Sequence, residues 1–310
     1  MSSESNNRIA KNTGILYIRL LFTMGVSLYT SRIVLNTLGV EDYGIYNVVG
    51  GFIGMIGFFR GSMSSATQRF LATEIGRNDS DKLSRVFNMS LNIHFLFVLF
   101  MLILAETFGL WFVNTQLTIP EDRMGAANWV YQFSVLSFIV GVLSVPYNAI
   151  IIAHERMNIF AWISILEVSL KLLVVFMLGW FGYDKLKLFA VLLFLSALII
   201  RLIYGIYCRM NFKESKYSFI WDKKLFKSLI TFSGWTLWGS AAATLSGQGT
   251  NILLNIFFGP AVNAARGIAF TLKSAINNFM LNFQMAMNPQ IIKSYASGDN
   301  KYMLQLIFQG

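Results

Sequence analysis

Blocks of twenty or more predominantly apolar residues recur along the whole chain, and they constrain its fold more than any other feature. About 20 such residues make a helix long enough to cross a ~30 Å hydrocarbon core. In lipid, only helices and closed barrels satisfy every backbone N–H and C=O group. The runs fall near 14–38, 43–68, 84–113, 125–152, 158–181, 186–208, 226–258 and 262–292. They predict an all-α polytopic membrane protein with about eight transmembrane helices. Charged residues make up only 13% of the 310, against about 25% in soluble chains, and the mean hydropathy is +0.56.

Turn formers punctuate the runs: Gly39, Pro120, Gly182 and the Gly259–Pro260 pair. One charged stretch, RMNFKESKYSFIWDKK (209–224), separates the sixth run from the seventh. It reads as a linker and as a candidate for a helix lying on the membrane surface. The net charge of +10 does not point to nucleic acid, because basic residues of such a chain collect in cytoplasmic loops. With the amino terminus inside, inner segments hold Arg8, Lys11, Arg69, Arg77, Lys82 and Arg85, with a further group around the linker. The outer loops then hold only Arg123, Lys185 and Lys187. The amino terminus is therefore expected in the cytoplasm. The first run is longer than a signal-peptide core and lacks a small-residue cleavage pattern, which makes it an uncleaved span. Cys208 is the single cysteine and His94 and His154 the only histidines, so neither an internal disulfide nor a multi-histidine metal site is expected.

A weak internal repeat is visible. LNTLGVEDYGIYNVVGG (35–51) parallels LLNIFFGPAVNAARGIA (253–269), and ATQRFLATEIGRNDSDKL (66–83) parallels MNPQIIKSYASGDNKYML (287–304). The offset of about 220 residues equals six runs plus the linker, and an even number of spans between copies makes the repeats parallel. The expected organisation is a six-helix lobe over 1–208, a cytoplasmic linker at 209–224, and a second lobe over 225–310. The second copy stops where its third span would begin, which predicts an incomplete second lobe.

Charges inside the runs are the candidates for function. Glu167 and Lys171 interrupt ISILEVSLKLLVVF (163–176), with no other charge between Arg156 and Asp184. A charge at a helix centre costs roughly 2.5–3.5 kcal/mol on insertion scales. Spaced i, i+4 with the acid first, they suit an ion pair on one helix face. Two roles stay open: a structural pair between helices, or a cavity pair that binds substrate, with Glu167 also a candidate for a coupling proton. Lys273 falls near mid-membrane in the eighth run. Arg60 sits among Gly57, Gly61, Ser62, Ser64 and Ser65, a composition that faces protein rather than lipid. In the seventh run, GSAAATLSGQGTN (239–251) is small and polar. It suits close helix packing or, through Gln248 and Asn251, bonds to a polar cargo. His94 reads as a core histidine or a proton-coupling group, and Pro146 as a bend or hinge. Arg19, Arg32, Arg201 and Arg266 lie near the interfaces, where long side chains snorkel, and Glu106 is expected to reach headgroups. The pairs Glu41–Asp42 and Glu121–Asp122 read as solvated loop charges. No histidines or further carboxylates converge on them, so an enzyme is not expected.

SLYTSRIVLNTLGVEDYGIYNVVGGFIGMIGFFRGSMSSATQRFLATEIG (27–76) resembles the opening hairpin of the polysaccharide flippases. These are Wzx-type transporters of O-antigen or capsule repeat units within the multidrug/oligosaccharidyl-lipid/polysaccharide exporter superfamily. VPYNAIIIAHERMNIFAWISILEVSLKLL (145–173) is similar to that family's fourth-to-fifth span junction. The resemblance covers essentially the whole chain through the textures LNTLG-x-x-x-YG and P-x-x-A-x-x-x-A-x-x-x-M. It implies a MATE-like bundle of two lobes facing a central cavity, of which this chain would hold about eight of twelve to fourteen helices. It also implies residence in the bacterial inner membrane and passage of undecaprenyl-diphosphate-linked oligosaccharide between leaflets by alternating access. No cofactor is implied beyond proton or sodium coupling, and polysaccharide polymerase machinery is an expected partner. A diphosphate cargo needs cations around it, which Arg forks and Lys point charges supply. That makes Arg60, Lys171 and Lys273 substrate-binding candidates alongside Glu167, Gln248 and Asn251. The alternative is a cation-coupled multidrug exporter of the same superfamily. A cationic drug favours an acidic cavity, and the mid-membrane charges here are mostly basic.

Overall fold

A computed structural model gives the protein's structure for residues 2–55, 57–117, 119–180 and 183–309, with side chains described outside 2–6, 40, 51–52, 54–55, 57–58, 243–275 and 309. In chain order the helices are α1 (Ser2–Met55), α2 (Gly57–Gly76), α3 (Ser80–Leu104), α4 (Leu110–Thr115), α5 (Met124–Ala153), α6 (Met157–Met177), α7 (Lys185–Asn211), α8 (Lys223–Ser297) and α9 (Asn300–Gln309). A π-helical turn at Ala105–Gly109 joins α3 to α4. The described residues contain five helices long and apolar enough to cross a membrane, at Asn7–Gly39, Ser80–Thr115, Glu121–Ala153, Met157–Met177 and Lys185–Asn211. The protein is an all-helical, multi-pass membrane protein.

Two of the long helices are hairpins. In α1 the regular dihedrals break at Gly39, which has φ 80° and ψ 169°, a region essentially restricted to glycine. Arg8 and Gly76 line one pocket at the amino-terminal end of the bundle, called the inner end, with the opposite end called the outer, although each is separated from Gly39 by a helical length of about 45–55 Å at 1.5 Å per residue. The chain therefore doubles back at Gly39, and the second span runs on to Gly76 rather than ending near residue 68. The same reasoning applies to α8. Phe232 meets Phe70 edge to face, while the backbone of Lys293 lies against Gly76. Phe70 and Gly76 are one and a half turns apart on α2, whereas a straight helix would hold 232 and 293 about 90 Å apart. Hence α8 is two antiparallel arms, and the interval between them contains the Gly259–Pro260 pair.

Packing follows small residues and apolar faces. α2 lies against both arms of α8 and against α5, α5 against α7, and α1 against α6. An inner core gathers Leu16, Leu71, Phe87, Ile150, Met157 and Ala286, drawn from α1, α2, α3, α5, α6 and α8. A second core towards the outer end joins Ile45, Val49, Val113, Ala127, Tyr131 and Leu186. There the buried Tyr131 hydroxyl donates at 2.7 Å to the Ala105 carbonyl, which also accepts the Leu110 N–H across the π-turn.

The linker is not a surface helix. After a 3-10 turn at Lys213–Ser215 it runs extended to Asp222, which caps α8 by accepting from the Lys224 and Leu225 N–H groups. Asn88 and Asn92, one turn apart on α3, take the place of a partner strand. Asn88 accepts from the Ser218 N–H at 2.9 Å and donates to the Lys216 carbonyl. Asn92 donates to the Ile220 carbonyl at 2.8 Å and accepts from the Tyr217 hydroxyl. In a low-dielectric setting such backbone groups need partners, and two buried asparagines provide them.

Candidate functional site

Between α1, α2, α5, α6 and α7 lies a cavity of about 1030 Å³, at the upper end of the ~300–1,000 Å³ that small-molecule sites occupy. Its charged lining residues are Arg60, Glu167 and Lys171. Lys171 donates to Glu167 at 2.7 Å along the helix face, the i, i+4 arrangement with the acid nearer the amino terminus. Both residues sit about 15–21 Å from the start of α6 at Met157. Arg60 faces them from α2, its guanidinium resting against Gly141, where an added Cβ would lie 3.0 Å from Nη1. That glycine makes room for the arginine. Among the described residues Arg60 has no ion-pair partner, so the cavity carries one cation in excess.

The rest of the lining mixes hydroxyl, amide and aromatic groups with aliphatic side chains such as Val34, Ile53, Val168 and Leu193. Eight serines contribute, with Thr30, Asn47, Gln68 and Asn148. Ser137, Ser144, Ser164 and Ser196 each donate to the carbonyl four residues earlier in their own helix. This leaves their oxygens as acceptors towards the cavity. Asn148 donates to the Tyr204 hydroxyl at 3.3 Å. Phe160, Ile152 and Met285 form the inner floor and belong to, or pack on, the inner core.

Arg19 does not snorkel. It packs over the Phe160 ring at 4.8 Å and donates to Asn282 on the returning arm of α8, directly behind the cavity floor. Arg201 likewise turns inward, its guanidinium 4.0 Å from the Tyr147 ring centre. Glu106 is exposed and accepts from Gln132 at 3.1 Å. His94 lies apart from the cavity, buried in α3 with Nδ1 against the Ser90 carbonyl at 2.6 Å. Pro146 is buried within α5, beside the lining residues Ser144, Val145 and Asn148. The side chains of Lys273, Gln248, Asn251 and Arg266 lie outside the described residues.

Two ionic clusters went unread in the sequence. At the outer end, Arg123 binds Asp42 through Nε at 2.9 Å and Nη2 at 2.6 Å, and Asp184 through Nη1 at 2.9 Å. Asp42 is thus a clasp residue joining the starts of three spans, not a solvated loop charge. Burial alone would raise the Asp184 carboxyl, but Arg123 and the Lys187 and Leu186 N–H groups outweigh it and hold it below the usual carboxylate range. At the inner end, Glu155 accepts from Lys293 at 2.6 Å, Gln290 at 2.9 Å and Arg8 at 2.9 Å, with its side chain only 2% exposed. Glu155 has φ 59°, a left-handed conformation that costs a non-glycine residue about 1–2 kcal/mol. The turn between α5 and α6 thereby aims a carboxylate inward. A glycine pattern cannot signal such a site; only the facing cations on α1 and α8 reveal it.

The sequence matches the family model described as polysaccharide biosynthesis protein over residues 9–295. No curated protein matches it. Solved structures of similar fold include the Vibrio cholerae MATE transporter VcmN in its bent form (TM-score 0.80, 15% identity, covering 99% of this chain and 69% of that one). A multidrug resistance MATE family transporter of the MOP superfamily in an outward-facing conformation is also similar (TM-score 0.77, 14% identity, 96% and 67%). So is a MOP superfamily transporter from Pyrococcus furiosus, whose reversed binding-pocket polarity is reported to suggest a different function (TM-score 0.75, 14% identity, 96% and 67%). At these identities the likeness concerns the fold.

Proposed function

The chain belongs to the polysaccharide biosynthesis protein family, and from that premise we propose that it carries an undecaprenyl-diphosphate-linked oligosaccharide from the inner to the outer leaflet of the bacterial inner membrane. One observation carries the proposal: among the described residues an excess cation, Arg60, faces a cavity that also presents serine hydroxyls, amides and aromatic rings among aliphatic side chains. A diphosphate headgroup brings about two negative charges that lipid alone does not accept. A guanidinium binds its oxygens in a forked geometry. Serine oxygens whose protons are engaged with their own helix accept from sugar hydroxyls, while aromatic rings cover the apolar faces of the sugars. Lys171 adds a second cation once substrate competes with Glu167 for it, and Lys273, Gln248 and Asn251 are retained as lining candidates from the second lobe.

Alternating access is part of the proposal, with the lobe at 1–208 and the helices beyond the 209–224 linker as the moving halves. The inner end is closed by the Glu155 cluster and the inner core, with cavity above. The amino terminus is placed in the cytoplasm on the distribution of basic residues. A cation-coupled multidrug exporter is the competing role. Among the described residues the excess charge in the cavity is of the wrong sign for a cationic drug, and the Pyrococcus furiosus transporter is a precedent for differing pocket polarity on one fold.

The test is a binding measurement on the purified protein with a fluorescent diphosphate-linked oligosaccharide lipid and, separately, a cationic dye. The proposal expects saturable binding of the diphosphate lipid, weakened at least about tenfold in Arg60→Gln, the loss of one charged hydrogen-bonding group. Tight binding of the dye with no binding of the diphosphate lipid would overturn it in favour of drug export.

A further inference from the structure

The extended linker presents a second surface that the transport cavity does not use. Its backbone is held against α3 by Asn88 and Asn92, which turns its other side outward. Phe219 is 75% exposed and Trp221 47% exposed. Lys213, Lys216, Lys223, Lys224 and Lys227 are exposed around them, with Arg209 at the end of α7. The acidic residues of the segment are engaged elsewhere: Glu214 pairs with His154 at 2.6 Å, and Asp222 caps α8. The surface is therefore aromatic and strongly cationic at once.

Its height relative to the membrane follows from α3. The outward-facing apolar side chains of that helix begin at Phe95 and Leu96 and continue through Leu99, Phe100 and Ile103. Asn92 lies one turn below Phe95, so the strand it holds runs at the edge of the apolar belt. Aromatic rings concentrate at that level of a bilayer, and lysine clusters beside it attract anionic headgroups.

We propose that residues 213–227 form an anionic-lipid binding surface, in which Phe219 and Trp221 enter the headgroup–acyl boundary and the flanking lysines bind lipid phosphates. The occupant is the headgroup of an anionic phospholipid. The charge match favours it over a zwitterionic lipid, and the exposed rings favour it over a free anion. Assignment to the inner leaflet rests on the orientation proposed above; the preference for anionic headgroups does not.

Fluorescence quenching in lipid nanodiscs tests this independently of transport. The whole chain is placed in phosphatidylcholine discs doped, at equal mole fraction, with phosphatidylglycerol or phosphatidylcholine brominated near the top of the acyl chain. The Trp221 contribution is the difference between wild type and Trp221→Phe. Quenching by brominated phosphatidylglycerol should exceed that by brominated phosphatidylcholine at least about twofold, and the excess should fall with added salt. It should also vanish in a Lys216→Gln, Lys223→Gln, Lys224→Gln variant. Equal quenching by the two lipids would overturn the headgroup preference. No quenching by either would place Trp221 outside the bilayer and point to an acidic protein partner instead. The salt titration needs no lysine variant, so the outcome stands even if that variant does not fold.

Discussion

At the scale of single residues, the proposed function turns on whether a charge has a partner. Glu167 and Lys171 neutralise one another along α6, whereas Arg60 faces the same cavity without an ion-pair partner among the described residues. Glu167→Gln combined with Lys171→Gln removes equal and opposite charge and a cation that substrate must first win from Glu167, so glycan export should fall less than in Arg60→Gln, which lowers it at least about tenfold, since hydrogen bonds to charged groups contribute ~1.5–3 kcal/mol. Surface glycan measured in cells carrying each variant distinguishes the two. The i, i+4 pair was legible in the sequence because helix periodicity fixes which residues share a face. The inward turn of Arg19 and Arg201 was not. Each lies within reach of an interface along its own helix, and only the rings of Phe160 and Tyr147 on neighbouring helices decide which way the side chain goes.

At the scale of elements, glycines set where helices reverse and how closely they meet. Gly39 holds a conformation that a Cβ opposes, so Gly39→Ala should lower stability by about 1–3 kcal/mol, read as a lower midpoint in thermal unfolding in detergent. Gly76 acts by contact rather than conformation. A Cβ there would stand 2.6 Å from the Lys293 carbonyl oxygen, so Gly76→Ala should push α2 from α8 and cost about 1–3 kcal/mol through overpacking. The turn at Gly39 was legible as punctuation between two apolar runs. The tight meeting of Gly76 with α8 was not, since its partner lies more than two hundred residues away. For the same reason the sequence suggested a surface helix where the chain runs extended: the asparagines that hold the linker sit on α3 and leave no local signature in the segment they hold.

At the scale of the whole molecule, ionic clusters mark the two ends. The outer clasp ties together the starts of three spans, and the inner cluster ties α1 and the α5–α6 turn to α8. Carboxyls held below their ordinary range stabilise the fold above about pH 4 and lose that contribution as pH falls through their folded values. Asp184 and Glu214 are both of this kind; for Glu214, burial raises the carboxyl and His154 more than offsets it. The thermal midpoint should therefore drop as pH falls below about 4, and Arg123→Gln should flatten that dependence by releasing Asp184. In the proposed alternating-access cycle the Glu155 cluster closes its end of the cavity. Glu155→Gln should raise the labelling rate of a Ser164→Cys variant by an impermeant thiol reagent applied from the inner side, in a Cys208→Ser background. An increase of about tenfold corresponds to the ~1.4 kcal/mol scale of one weakened charged contact.

The sequence by itself determined that the chain is a helical membrane protein, where most spans begin and end, and that Arg60, Glu167 and Lys171 have reason to avoid lipid. Those properties depend on local composition and on helical period, which a single run of residues contains. Tertiary structure alone decided that these three charges share one cavity, that Asp42 and Glu155 are bound rather than solvated, and that the linker lies extended along α3. Each of those outcomes depends on groups brought together from distant parts of the chain, because a buried charge or backbone group is satisfied by whatever packing places beside it.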